Sequence, residues 1–315
     1  MDAALVIDKP QGMTSHDVVD RVRRILRERS VGHLGTLDPM ATGALPLLVG
    51  RYTRLAQFFE RADKSYEGEV RLGFSTDTYD ATGEPTSTPV EARVTLEQLR
   101  ELAARFVGSI EQTPPSFSAK KVAGVPAYKL ARKGRAPELK KVAVMIHSFE
   151  VLSLDDDCVR FRSQVSAGTY IRTLAHELGE ALGTGAHLTS LRRTAAGQFR
   201  LEQAVRLEDL AEQAGGWADK QRPITDIMLT TTHTPLFLHP RELLPQFPAL
   251  SANDEVLQKI RHGMALNLPD YSQSKFVRVF RGQSELIAIC VRLAGTLFQP
   301  KVVLLTSPAA ATVDN

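Results

Sequence analysis

Apolar side chains recur at helical spacing in several segments of the chain. In residues 14–29 the valines, isoleucine and leucine share one face, and Thr14 or Ser15 precedes them as an N-cap. In residues 95–106 a stripe of leucines and a phenylalanine follows a capping box that begins at Thr95. The remaining predicted helices cover residues 171–182, 207–213 and 253–261.

Short apolar runs and alternating patterns bounded by turn residues predict strands. These cover residues 4–7, 66–73, two or three segments between 142 and 165, 189–200, 276–280, 286–293 and 301–305. Strands mixed with isolated helices, without regular strand–helix–strand alternation, predict an α+β fold. The Gly-rich segment 31–50 is predicted to be a loop. The Pro-rich segment 235–248 is predicted to connect a large first domain to a small β-rich one.

Composition places the chain among soluble globular proteins, with 43% hydrophobic and 24% charged residues in 315. The two cysteines, Cys158 and Cys290, lie far apart, which argues against a disulfide framework or a Cys-rich zinc site and suits a reducing cytoplasm. No apolar run approaches the ~20 residues of a membrane helix, and the first residues do not resemble a signal peptide. We therefore expect a cytoplasmic protein without membrane attachment.

Positive charge is concentrated in one segment. Residues 118–141 carry eight cations and one acid, a net charge of +7, whereas the whole chain sums to +3. Glycines, prolines and the stacking-capable Tyr128 interrupt the cations. A solvated surface loop would explain the charge alone, but cations together with an aromatic are what phosphate and base binding require. We call residues 114–141 the basic arm.

The densest candidate chemistry is the segment GHLGTLDPMATG, residues 32–43. Its glycines permit tight turns and the close approach of another chain. Asp38 precedes Pro39, which disfavours helix at Asp38 and projects the carboxylate from a stiff loop. Asp-Pro is also a common way to open a turn, and local sequence alone leaves both readings open.

Other familiar motifs are incomplete. No Gly-Lys-Ser/Thr follows the glycines, so a P-loop is not indicated. His176-Glu177 lacks the second histidine of a zincin, and Gly183-Thr-Gly185 does not open a helix after a strand. We therefore expect no metal and no cofactor. Tyr66, Tyr170 and Arg172 are each compatible with ordinary surface or strand packing when considered singly.

Taken together, several segments resemble the TruB-type tRNA pseudouridine synthases of bacteria. The resemblance covers nearly the first two thirds of the chain, and its GxLDPxATG block is highly specific. The matching segments are DKPQGMTS from Asp8, GHLGTLDPMATGALPLLVGRYTR, KSYEGEVRLGFSTDTYDATGE, PPSFSAKKVAGVPAYKLARKG, SAGTYIRTLAHELGEALG and HLTSLRRTAAGQF.

This resemblance implies a pseudouridine-synthase fold, with a mixed and mostly antiparallel sheet flanked by helices, and a small C-terminal RNA-binding domain of the PUA type. The domain bounds that follow are a catalytic domain over residues 1–235, a connector over 236–249, a PUA-like domain over 250–306 and a disordered tail over 307–315. The basic arm is similar to the family's mobile thumb loop, an insertion in the catalytic domain.

The resemblance also implies roles for single residues. Asp38 is the catalytic carboxylate, and Arg172 is its partner, expected to lower its pKa and keep it ionised. Tyr66 is similar to the family's active-site tyrosine, which stacks on uracil and is proposed to take the C5 proton. Tyr170 and Leu191 match residues that line the base pocket.

The remaining implied roles concern RNA binding. His33 matches the residue thought to fill the space that the flipped uridine vacates. Asp80 belongs to a block near the flipped bases, and Lys120, Lys121 and Arg132 belong to the basic arm.

The function implied is conversion of uridine 55 in the tRNA T loop to pseudouridine after base flipping. Whether the aspartate attacks the ribose or removes its 2′ proton stays open. A monomer that binds the T stem-loop and needs no protein partner is expected. The alternative is a tRNA-folding chaperone that acts without catalysis. A guide-RNA-dependent enzyme is less favoured, because the chain has its own thumb-like insertion and no long Lys-rich tail.

Overall fold

The computed structural model describes residues 1–115, 117–118, 120–122, 124–127, 130, 139–215 and 236–305. Within these residues the chain forms one large sheet, a second sheet of five strands and a two-stranded hairpin. The helices are α1 (Ser15–Leu26), α2 (Leu96–Ala104), α3 (Ile171–Leu182), α4 (Leu207–Gly215) and α5 (Asp254–Arg261).

The strands of the large sheet are β1 (Ala3–Lys9), β2 (Val31–His33), β3 (Thr42–Val49), β4 (Lys64–Leu72), β5 (Gly108–Gln112), β8 (Val142–Asp155), β9 (Cys158–Val165), β10 (Ala186–Ala196), β11 (Phe199–Arg200) and β12 (Ala204–Val205). Between β5 and β8, β6 (Lys121–Val122) pairs with β7 (Val125–Pro126).

The large sheet is mixed and mostly antiparallel, as predicted. Its order is β12-β1-β3-β10-β4-β9-β8-β5, with β2 paired to β3 and β11 to β10. Only the β1–β12 and β3–β10 pairs of this sheet are parallel within the described residues. Strand β10, from late in the chain, therefore lies between β3 and β4 and brings three distant segments of the sequence together.

Both faces of the sheet are covered at its centre. On β1, Leu5 and Ile7 point towards the cluster that contains Val18 and Val22 of α1. The alternate residue Val6 points to a second cluster, which includes residues of the connector and the C-terminal sheet. Strand β3 alternates between the same two clusters and is therefore apolar along almost its whole length.

This double burial explains the main error of the sequence prediction. Residues 31–50 contain β2 and β3 rather than one loop. The glycines and Pro46 obscured β3, and its apolar run does not alternate because neither face meets water. The strand predicted over 189–200 is the longer, central β10 followed by β11.

Helix prediction succeeded because the ends carry local chemistry. Thr14 and Thr95 form capping boxes, with Asp17 and Gln98 respectively, at the starts of α1 and α2. Helix α1 ends at Leu26, earlier than predicted, because Arg27 adopts a left-handed conformation with φ of 51°. Helix α3 has the predicted bounds.

The C-terminal sheet has the order β13-β15-β16-β17-β14. Its strands are β13 (Ala249–Ser251), β14 (Leu266–Asn267), β15 (Phe276–Arg281), β16 (Glu285–Ala294) and β17 (Leu297–Val303). One face of this sheet packs with helix α5, and other side chains join the cluster beneath β1 and β3. Arg278 ties the preceding connector to this sheet by donating to the carbonyls of Arg241, Leu243 and Phe247 at 2.6, 2.8 and 2.7 Å.

Residues 216–235, nearly half of the basic arm and the predicted tail lie outside the described residues. Among the described helices, none has the length and apolar character needed to cross a membrane.

The close approach of β3 and β10 gives a stability prediction. Gly43 has a φ of +100°, and a Cβ placed there would lie 2.3 Å from the Arg193 carbonyl oxygen. We expect Gly43→Ala to lower the free energy of unfolding by roughly 3 kcal/mol or more, because both backbone strain and a backbone clash must be relieved. Urea denaturation of the full chain measures this loss.

Gly12→Ala is the matched control, since Gly12 also has positive φ but no atom within 4 Å of an added Cβ. Its cost should be the conformational one alone, about 1–2 kcal/mol. Equal losses for the two variants would contradict the close approach at Gly43.

Candidate active site

A cleft of about 460 Å³ lies beside the central strands of the large sheet. The Asp38 loop, β4, β10, the start of α3 and the root of the basic arm all contribute to its walls. Its lining includes Asp38, Lys64, Tyr66, Ser118, Lys120, Tyr170, Arg172, Leu191 and Arg193. Most of the predicted catalytic and pocket residues therefore meet in one place, although they come from distant parts of the chain.

Hydrogen bonds fix the backbone of the loop that carries Asp38. The Ser15 hydroxyl accepts from Leu37 N at 2.8 Å and donates to Leu37 O at 3.1 Å. On the other side of Asp38, Gly12 N donates to Pro39 O at 2.8 Å. The start of α1 and the turn before it thus fix the backbone on both sides of the carboxylate.

A buried ammonium braces the same turn. Lys9 is 0% exposed, and its Nζ donates to the carbonyls of Pro10, Met13 and Pro39 at 2.9, 2.6 and 3.3 Å. Burial lowers the pKa of Lys9 to about 8, although the negative charge of Asp38 acts in the opposite direction.

Arg172 lies in the first turn of α3, with its side chain 5% exposed, and it serves as partner to two carboxylates. Its Nε is 2.8 Å from Asp38 Oδ2, and its Nη1 is 3.3 Å from Asp80 Oδ2. The first contact is ionic rather than an aligned hydrogen bond, because the Nε–H does not point at the oxygen. The guanidinium also donates to Thr78 O and Phe117 O, both at 3.0 Å.

Asp80 lies behind Arg172 and is 3% exposed. Its Oδ1 accepts from Thr78 Oγ1 at 2.8 Å, Thr82 N at 2.9 Å and Thr82 Oγ1 at 2.5 Å. The Asp80 carboxylate is therefore well satisfied and supports Arg172 from the side away from the cleft. Asp80, predicted from the sequence to bind substrate, is not among the residues that line the cleft.

The electrostatics of Asp38 differ from the sequence expectation. We expected Arg172 to lower the pKa of Asp38, but the net direction is upward. Burial raises the pKa of the Asp38 carboxyl most strongly, Asp80 adds to this, and the Arg172 guanidinium only partly offsets them. Burial outweighs the attraction of Arg172, whose single charge is also shared with Asp80, although the Asp38 side chain remains 37% exposed in the cleft.

Two side chains of the central strands line the cleft together with Asp38. Tyr66 on β4 and Leu191 on β10 are 8% and 7% exposed, and both line it. Tyr170, immediately before α3, completes this wall. Gln112 fixes its backbone by accepting from Tyr170 N at 2.8 Å and donating to Tyr170 O at 3.1 Å.

The basic arm begins at the cleft. Lys120 lines it and donates to Lys140 O at 3.5 Å, and Phe117 accepts from Arg172. Lys121 lies in β6, paired with Pro126, and its side chain is outside the described atoms. Arg132 is also outside the described residues.

His33 ends β2 and is half-buried, but it is not among the residues that line the cleft. Burial lowers the pKa of its imidazole, and the positive charge of Arg193 contributes in the same direction.

Sequence reasoning missed Arg193 and Lys64 as cleft residues. Arg193 is 1% exposed, and burial lowers the pKa of its guanidinium. A signal was available, because alternation along β10 places Arg193 on the same face as Leu191 and Ala195. A cation at such a position is buried and must find partners inside the protein.

Family models match this chain in two parts. Residues 23–171 match the N-terminal domain of the TruB family of pseudouridylate synthases, and residues 172–233 match the C-terminal domain of tRNA pseudouridylate synthase B. The chain is 46% identical over 307 residues to the tRNA pseudouridine synthase B of Solibacter usitatus, covering 96% of this chain and 100% of that protein. The chain belongs to the TruB family of pseudouridine synthases.

A second TruB relative is the tRNA pseudouridine synthase B of Bacillus anthracis, 40% identical over 92% of each chain. The activity of the TruB family is the formation of pseudouridine in tRNA, so this chain is an RNA-modifying isomerase. The boundary between the two family models falls at the start of α3, and the second model contributes β10 to the centre of the large sheet.

Solved structures share the fold. A chain in a structure of an H/ACA RNP bound to a substrate RNA containing 2′-deoxyuridine superposes with a TM-score of 0.71 at 24% identity, covering 96% of this chain and 85% of that one. A chain in the archaeal box H/ACA sRNP Nop10–Cbf5 complex gives 0.67 at 26% identity, covering 96% and 86%. The TruB fold predicted from sequence is confirmed.

The shared guanidinium gives a prediction on pH dependence. Under the catalytic role proposed for Asp38 in the next subsection, its ionised form is the active form, so we expect activity to fall as pH drops through the raised pKa of Asp38. In Asp80→Asn a neighbouring negative charge is lost, so the pKa of Asp38 should fall and the acid limb should move to lower pH. Single-turnover rates across pH, each normalised to its own plateau, measure the shift.

Asp77→Asn is the control, because Asp77 lies in the same turn and is not among the groups that act on Asp38. It should leave the acid limb in place. If the acid limb of the Asp80→Asn pH profile does not move, or moves to higher pH, the electrostatic coupling of Asp80 to Asp38 is contradicted.

Proposed function

We propose that this cleft converts uridine 55 of the tRNA T loop to pseudouridine, with Asp38 acting on the ribose of an everted nucleotide. The observation that carries the proposal is the ion pair of 2.8 Å between Asp38 and the buried Arg172. It holds a carboxylate in a cleft that Tyr66 and Leu191 also line. A volume of about 460 Å³ suits a small-molecule-sized group such as a nucleoside.

The reaction is an isomerisation and conserves every atom. The bond between N1 and C1′ breaks with its electron pair leaving on the uracil, the base turns, and C5 bonds to C1′. The proton on C5 is lost and a proton is gained at N1. Asp38 assists either by attacking C1′ or by removing the 2′ proton, and both routes require an ionised carboxylate close to the sugar.

A raised pKa is useful to such a carboxylate. The same burial that disfavours charge makes ionised Asp38 a stronger base and nucleophile than a solvated aspartate. Arg172 keeps the group oriented through the ion pair. Tyr66 and Leu191 offer flat and apolar surfaces on which the detached base is held. Tyr66 receives the C5 proton as its own hydroxyl proton passes to solvent, so the phenol is restored. Tyr170 borders the same pocket.

The target base must leave the folded T loop before it reaches Asp38, and eversion costs a few kcal/mol. Stacking and edge contacts in the cleft offset that cost, with His33 and the basic arm holding the opened RNA. The arm carries the locally high positive charge needed to grip the phosphates of the T stem-loop. We assign residues 1–235 to catalysis and 250–306 to a PUA-like RNA-binding domain, joined by the connector. The active form is a monomer without a required protein partner.

Substitution of the carboxylate tests catalysis directly. Asp38→Asn keeps the shape of the side chain but removes its basicity. We therefore expect pseudouridine formation on a T stem-loop RNA to fall at least 1,000-fold (~4 kcal/mol), with RNA affinity within several-fold. Chemical mapping of pseudouridine at position 55 measures the product, and filter binding measures affinity.

A tRNA substrate with cytidine at position 55 is the matched control and should yield no product. Retained turnover by Asp38→Asn would contradict the proposal. Growth of a deletion strain separates catalysis from chaperoning: rescue by Asp38→Asn, but not by an allele without the basic arm, would show that tRNA folding is the required activity.

The basic arm makes a separate prediction. Neutralising Lys120, Lys121, Arg132 and Lys133 with glutamine should weaken tRNA binding and flatten its salt dependence. For every phosphate that the arm no longer neutralises, the slope of log affinity against log salt should become shallower by roughly 0.7–0.9. Affinity measured at several salt concentrations gives the slope, with Arg93→Gln as a control, because Arg93 is an exposed cation of the catalytic domain that does not line the cleft. An unchanged slope would remove the arm from the RNA interface.

A further inference from the structure

Arg193 joins the two ends of the loop that carries Asp38. Its Nε donates to Ala44 O at 2.7 Å, after Asp38 in the chain. Its Nη2 donates to Gly35 O at 3.0 Å, and its Nη1 is 3.5 Å from Thr36 O, both before Asp38. One guanidinium therefore links the backbone before Asp38 to the backbone after it.

The same guanidinium also interacts with Tyr66, another residue that lines the cleft. In the sheet, Arg193 is the direct cross-strand partner of Tyr66 on β4 and of Gly43 on β3. The Tyr66 side chain is the group that favours the charged form of Arg193 against the effect of burial. Arg193 also lines the cleft, together with Asp38 and Tyr66.

Within the described part of the chain, no acid neutralises the charge of Arg193. Burial and Tyr66 are the influences on it, and no carboxylate is among them. The cations Lys9 and Lys64 lie close enough to feel its charge. A buried cation without a carboxylate partner costs free energy even when it is hydrogen-bonded, so its burial is weak evidence for a stabilising role. Stability alone is therefore a poor reason for an arginine here.

We propose that Arg193 is a positioning residue for pseudouridine formation, because it fixes the Asp38 loop and Tyr66 at one separation across the cleft. The planar, forked shape of the guanidinium is essential to this role, because its nitrogens reach both ends of the Asp38 loop and Tyr66 at the same time. Lysine retains the charge but cannot make these contacts together. The inference rests on the function proposed above.

Two variants and one control test this role in the full-length protein. Arg193→Lys keeps the charge and loses the fork, and Arg193→Met loses both. Arg192→Met is the control, because Arg192 is the neighbouring arginine on β10, partly exposed and paired with Asp8 at 2.7 Å on the other face of the sheet. For each, the measurements are the single-turnover rate on a T stem-loop RNA at saturating enzyme, the RNA dissociation constant and the midpoint of thermal unfolding.

For Arg193→Lys we expect the single-turnover rate to fall at least tenfold, while the dissociation constant changes less than threefold and the melting midpoint less than 5 °C. Arg193→Met should lose a further tenfold or more in rate, and Arg192→Met should stay within threefold of the wild type. If Arg193 served folding alone, the RNA affinity and the melting midpoint would fall together with the single-turnover rate.

Any other pattern for Arg193→Lys overturns the inference: a rate loss below tenfold, or a rate loss accompanied by comparable losses of affinity or melting temperature. Should Arg193→Met fail to fold, Arg193→Lys decides alone. Failure of the proposed function is distinguishable, because the wild-type protein would then form no pseudouridine at position 55. If the wild-type protein forms pseudouridine normally and Arg193→Lys is equally active, only the role of Arg193 is refuted.

Discussion

The site depends on one guanidinium shared by two carboxylates. Arg172 contacts Asp38 through Nε and Asp80 through Nη1, and its Nη1 and Nη2 also donate to two backbone carbonyls. Burying such a cation is tolerable only because these partners replace water. These partners come from three segments, so Asp38 is correctly aimed only when the turn at Asp80, the arm root at Phe117 and helix α3 are all in place.

The sheet supplies the rigidity that this arrangement needs. Strands β3, β10 and β4 are adjacent, and β3 is packed on both faces. The Asp38 loop leaves this scaffold at one end and returns to it at the other, and the buried cations Lys9 and Arg193 hold its carbonyls. A functional loop on a rigid frame places its side chain without a large ordering cost on binding.

Local chemistry made much of the fold predictable. The capping boxes at Thr14 and Thr95 and the glycine at position 183 marked helix ends, because these signals act within one turn of the chain. Strand β3 was not predictable from its pattern, since its uniform burial depends on the connector and the C-terminal sheet, which arrive later in the chain. Resemblance to the TruB family identified the cleft residues Asp38 and Arg172 from motifs.

Interactions between distant segments could not be predicted from the sequence. The direction in which the pKa of Asp38 shifts depends on burial and on Asp80 sharing Arg172, and neither is visible from residue spacing. Arg193 had a local signal in the alternation of β10, but its partners at Gly35 and Ala44 appear only once β3 and β10 are paired.

The most direct test of the account is a crystal structure of the Asp38→Asn variant bound to a T stem-loop RNA with uridine at position 55. The account predicts an everted uridine in the cleft, with the side chain at position 38 within about 3.5 Å of the ribose and the base against Tyr66. An RNA bound with that uridine still stacked in its loop, or with its ribose out of reach of position 38, would contradict it.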